Sequence, residues 1–124
     1  MQQSIEGNTV SKEEFKQMKA HLDNYKKKIR VLDDFEKNPP VTEKQLQQRD
    51  DCKEMVGYIQ RAINLIDDHE LREIMEYRFI RGNPRKSTII RFCLLHERTV
   101  DRKIIQGVTE IAKCVKDWSG RIAN

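Results

Sequence analysis

Apolar residues recur along the chain at helical spacing. Phe15, Met18, Leu22, Tyr25, Ile29 and Leu32 follow one another at steps of three and four, an a/d seam over roughly three heptads. Ser11 with Glu14 three residues later is a capping box, so the spacing predicts one helix from Ser11 to just before Pro39-Pro40. Thr42 with Gln45 repeats the cap. Leu46, Cys52, Val56, Ile59, Ile63 and Ile66 then line one face, with a weak patch near Arg49. Two long helices joined across Lys37–Val41 predict a helical hairpin over residues 11–66. The Phe15–Leu32 seam either folds back on the second helix or packs on another chain as an oligomerisation or partner surface.

Asp67 and Glu70 predict a third cap, followed by Leu71, Ile74, Met75 and Phe79, with Gly82 as C-cap and Pro84 as the break. A short fourth helix is predicted from Ser87 to Leu94, then a polar corner at Leu95-His96. The fifth helix runs from Glu97 to Trp118, with Val100, Ile104, Val108, Ile111 and Val115 as its buried stripe. Gly107 inside it predicts a close approach by a neighbour, and Trp118 an anchor for its end. The fold class is therefore all-α. A disordered tail of residues 1–10 precedes the 11–66 hairpin, and a three-helix unit of residues 67–124 follows it.

Composition limits the picture further. The 124 residues are 37% hydrophobic and 35% charged, so a core has to come from amphipathic helices. No apolar run approaches the ~18 residues of a membrane span, and the first ten residues lack a signal pattern. Cys52, Cys93 and Cys114 are odd in number and widely spaced, which predicts small core residues in a reducing cytosol and not a disulfide framework. The net charge of +4 is unevenly placed. Residues 1–66 are near neutral and residues 67–77 are acidic, whereas residues 78–106 hold eight basic and two acidic side chains. Such a concentration is the footprint of a polyanion binder, or of a solvated basic face.

Two helices around a tight polar corner, preceded by a third, predict a helix-turn-helix, whose second helix enters the DNA major groove. With Val100, Ile104, Val108 and Ile111 inward, Arg98, Arg102, Ile105, Gln106 and Thr109 face outward, flanked by Thr99 and Lys103. Arg can bond guanine and Gln can bond adenine. Arg85, Lys86 and Ser87, at the start of the fourth helix, are placed to meet phosphates. The DNA-contacting set is then Arg85, Lys86, Ser87, Arg98, Thr99, Arg102, Lys103 and Gln106. The sequence holds no phosphate-loop, dinucleotide, zinc-protease or CxxC motif. His21, His69 and His96 are scattered, and the pairs Asp33-Asp34, Asp50-Asp51 and Asp67-Asp68 point apart on a helix. Neither a catalytic constellation nor a metal or cofactor site is expected.

Tyr77-Arg78-Phe79-Ile80 and Glu97-Arg98-Thr99-Val100-Asp101-Arg102 carry a resemblance. Residues 68–116 resemble the sigma-factor region 4 type of helix-turn-helix, and more closely the ArpU/RinA-type late-gene regulators of phages and prophages. Ile90 stands where that family has a small Ala, and His96 where it has an N-capping Ser. The bulk of Ile90 implies a looser or rotated approach of the two helices. The resemblance implies a cytoplasmic protein of a bacterial host that binds promoter or operator DNA and activates late genes with host RNA polymerase. It also implies a homodimer and a phage- or satellite-encoded modulator as partners. Two other functions fit the same pattern: a DNA-packaging recognition subunit of the small-terminase kind, and a helical adaptor whose basic face meets an acidic protein.

Overall fold

A computed structural model describes residues 9–122. Among them the chain is all-α, with six α-helices and no strand. These are α1 (Lys12–Asp23), α2 (Tyr25–Lys37), α3 (Glu43–Asn64), α4 (His69–Met75), α5 (Arg85–Arg91) and α6 (Glu97–Ser119). Most of the predicted N-terminal tail, residues 1–8, lies outside the described residues. Thr9 and Val10 are placed: the Thr9 carbonyl accepts from Lys116 Nζ at 2.8 Å, and Val10 packs on the core.

The Ser11 capping box forms in both directions, with Ser11 Oγ accepting from Glu14 N–H at 3.1 Å and Glu14 Oε1 accepting from Ser11 N–H at 3.0 Å. The expected single helix is two, because Asn24 interrupts it. Its side-chain amide donates to the Ala20 carbonyl at 2.9 Å, which its own backbone N–H also approaches at 3.0 Å. Competition of this kind bends a helix, and Asn24 departs to ψ 11°. The seam survives the bend and closes within the chain. Met18, Leu22 and Tyr25 are buried in the protein's own core, with Phe15, Ile29 and Leu32 half-buried against it. The three buried residues therefore offer nothing to a second chain. Gln60 of α3 donates to the Tyr25 hydroxyl at 2.7 Å and fixes the hairpin. Leu46, expected on the buried face of α3, is exposed at its first turn.

The third cap shifts by one residue from the Asp67–Glu70 pairing, since Asp68 Oδ1 accepts from Leu71 N–H at 3.1 Å. α4 runs into a π turn at Glu76–Ile80, closed by Arg81 N–H on the Glu76 carbonyl at 2.9 Å. Gly82 follows at φ 73°, as its predicted C-cap role requires, and the Lys26 side chain lies where a Cβ would stand. Arg78 reaches from this turn to the Asn83 carbonyl at 3.1 Å and to Asp23 at 3.3 Å.

α6 is the central element and packs on α1, α3 and α4. Its stripe of Val100, Val108, Ile111 and Val115 is fully buried, and Gly107 admits the Met75 thioether where a Cβ would come within 2.7 Å of Met75 Cγ. The core is one cluster from Met18 to Ile122, so the division at residue 66 is not a division of the core. At the far end, Arg61 stacks 3.9 Å from the Trp118 ring centre, and Tyr58 lies 6.0 Å away on the same indole.

Candidate nucleic-acid interface

α5 begins earlier and ends sooner than the expected Ser87–Leu94. Pro84 starts it, with φ fixed at −71°, and its carbonyl accepts both the N–H and the hydroxyl of Thr88 at 3.0 Å. Thr88 is thereby satisfied while fully buried, and it sets the inner face of the helix together with Ile89 and Phe92. Phe92 meets Tyr77 edge to face at 5.9 Å. Cys93, expected in the core, is exposed because the helix has already ended at Arg91. Ile90 is 72% exposed. It therefore lies outside the α5–α6 contact, and its bulk does not loosen that contact. The corner closes through Leu95 N–H on the Phe92 carbonyl at 2.9 Å. His96 then caps α6, its Nδ1 accepting from Arg98 N–H at 3.2 Å.

The five basic candidates separate into two kinds. Arg85, though half-exposed, is not free: it grips Asp101 at 2.7 and 2.8 Å and Glu97 at 2.8 Å. Those carboxylates hold its guanidinium above the ordinary Arg value, and Arg85 holds the Asp101 carboxyl below the usual range. Lys103 is also committed, to Asp68 at 3.4 Å and Glu70 at 3.5 Å. The Leu71 N–H, and behind it Lys103, keep Asp68 below its ordinary value. Both residues brace helices against each other, so a phosphate contact by either has to compete with these ion pairs. Arg98 and Arg102, one turn apart, are exposed and have no side-chain partner among the described residues, and the same holds for Lys86. Thr99 and Ser87 are half-buried at the edge of this face.

Further along α6, Gln106 is exposed and donates to Glu110 at 3.0 Å, while Thr109 turns its hydroxyl back to the Ile105 carbonyl at 2.8 Å. Glu110 therefore bounds the basic face towards the C-terminus of α6, leaving the free cations Arg98 and Arg102 on the first two turns. Ile105 is exposed as the spacing predicts, but periodicity did not disclose that Ile90 and Leu94 stand exposed nearby. Nor did it disclose that Arg91 sits 5.8 Å from the Phe92 ring and 5.9 Å from Tyr77. The helix and corner boundaries that decide these positions depend on Thr88, which a polar–apolar pattern assigns to the outside. Among the described residues no group of three or more His, Cys, Asp or Glu is placed to hold a metal ion, and no helix is long and apolar enough to cross a membrane. Compared with protein-family models, with curated proteins and with solved structures, the chain matches none of them.

Proposed function

We propose that the chain is a sequence-specific DNA-binding transcriptional regulator, and that α6 is its reading helix. The observation that carries this is the pair Arg98 and Arg102, exposed and unpaired on the first two turns after the corner, while the neighbouring cations Arg85 and Lys103 are neutralised. A guanidinium free on the outer face of such a helix suits the guanine edge in the major groove. Exposed Lys86, at the start of α5, suits a phosphate. The finer reading is a late-gene activator of phage or prophage, acting with host RNA polymerase in the bacterial cytoplasm. It rests on the resemblance of Tyr77–Ile80 and Glu97–Arg102 to the ArpU/RinA type.

Selection of bound genomic fragments would supply the preferred site. On that site Arg98→Ala or Arg102→Ala is expected to cost roughly 1–3 kcal/mol and to relax specificity. A pair of charge substitutions separates contact from folding. Arg102→Asp is expected to abolish binding with an unchanged melting temperature. Val100→Asp buries a charge at a fully buried position and is expected to lower stability by several kcal/mol. Arg98→Ala binding its site like the parent would remove α6 as the reading helix. A second reading, the protein-binding adaptor, is favoured by the exposed Ile90 and Leu94 beside Arg91. Binding of no duplex at low salt would turn the argument to it.

A further inference from the structure

We infer that the first turns of α2 form a second phosphate-binding surface, which takes the DNA backbone flanking the stretch held by α6. The inference rests on the DNA-binding reading above and extends it to the half of the chain whose near-neutral total hides a local cluster. Lys26, Lys27 and Arg30 are exposed and have no acidic partner among the described residues. With Arg78 they line a shallow depression beside Gly82. The carboxylate lining it, Asp23, is already held by Lys19 at 3.0 Å and Arg78 at 3.3 Å. The depression therefore presents unopposed positive charge. Lys26 and Lys27 stand four and three residues before Arg30, where like charges weaken a helix. Asp33 and Asp34, three and four residues after Arg30, offset part of this repulsion, and a polyanion would relieve the rest.

The cluster is tied to the candidate interface through a short piece of backbone. Lys26 lies against Gly82 and donates to the Arg81 carbonyl at 3.4 Å. Three residues beyond Gly82, Arg85 grips Asp101 and Glu97 in the first turns of α6. Three residues span at most ~11 Å. Successive phosphates of one strand rise ~3.4 Å along the duplex axis, so that distance matches about three of them. On this inference the backbone of a duplex seated on Arg98 and Arg102 continues past the long side chains at 26, 27 and 30. Lys26 and Lys27 are flexible point charges, and the one amide lining the depression, Asn24, is spent on the Ala20 carbonyl, which fits backbone contact.

The test measures anisotropy of the full chain with a random-sequence duplex of about 30 base pairs across a salt series. The double variant Lys27→Ala/Arg30→Ala leaves the Lys26–Gly82 contact intact. It is expected to melt like the parent, to bind roughly tenfold more weakly at low salt, and to lose about two units of salt slope, 0.9 for each phosphate contact. Arg98→Ala/Arg102→Ala is measured beside it. If Lys27→Ala/Arg30→Ala binds like the parent while the α6 variant is weakened, the second surface is overturned and the reading helix stands. If only Lys27→Ala/Arg30→Ala is weakened, the second surface stands and the placement of the reading helix falls. A parent chain that binds no duplex overturns both.

Discussion

Arg85 holds its guanidinium between Asp101 and Glu97, one helix away in the fold and 12 to 16 residues away in the chain. The acids it covers lie beside the exposed Arg98 and Arg102, so Arg85 offsets the negative charge at the start of α6. The pair is half-exposed and adds little to stability. Its consequence is electrostatic. Asp101→Asn is expected to raise affinity for duplex DNA several-fold at low salt, with the gain fading as salt screens it. Arg85→Ala is expected to lower affinity by more than one phosphate contact, because it uncovers two carboxylates. Anisotropy titrations of both variants decide this, and identical affinities would show that these acids do not face the duplex. The outward face of α6 was legible in the sequence from the positions of Val100, Ile104 and Val108. The pairing of Arg85 and of Lys103 was not, since it depends on how α5 and α4 cross α6, and a hydrophobic period fixes which face is buried without fixing that crossing.

α6 was legible almost to its ends, because 23 residues give the period room to repeat and Glu97 follows a polar corner. α5 was not, because seven residues are two turns, and one buried hydroxyl reverses the apparent face. The bend at Asn24 and the π turn at Glu76–Ile80 also leave no mark on periodicity; each is a rearrangement of a few hydrogen bonds. Gly107 was foreseen as a close contact, and the reason is now specific. Ala at this position would gain roughly 0.5–1 kcal/mol of helix preference. It would also press a Cβ onto the fully buried Met75, an overpacking that costs about 1–3 kcal/mol. Gly107→Ala is therefore expected to lower the melting temperature. Met75→Ala in the same chain should cost less than it does in the parent. Additive effects in a double-mutant cycle would show that the two side chains do not meet.

The described residues share one core that runs across residue 66. α1 and α3 cover the stripe of α6, so a fragment of residues 67–124 lacks the partners of Val108, Ile111 and Val115. It is expected to show no cooperative melt. Glu14 joins the halves as well as capping α1: its Oε1 accepts from Lys116 at 3.0 Å as well as from Ser11 N–H. The Ser11 amide first, and Lys116 next, hold its carboxyl below its ordinary 4.5. A depressed pKa means the unfolded chain binds the proton more readily, so this contribution is present above about pH 4.5 and is lost as pH falls through the folded value. Glu14→Gln keeps the cap but not the charge. Its stability deficit at neutral pH is expected to vanish in melts taken progressively below pH 4.5; a deficit that persists unchanged in acid would mean that the charge plays no part.

Trp118 is the only tryptophan in the chain, and it is clasped by Arg61 and Tyr58 where the end of α6 meets α3. At 1.5 Å per residue it stands about 30 Å along the helix from Glu97. The protein thus carries a single indole, excited apart from its three tyrosines at long wavelength, which watches the junction of α6 and α3 from a place no docked duplex on the first turns of α6 would touch. Its emission should shift with urea at the same midpoint as the helical signal, and stay unmoved when DNA is added. Its emission then reports folding alone, with or without DNA in the cuvette.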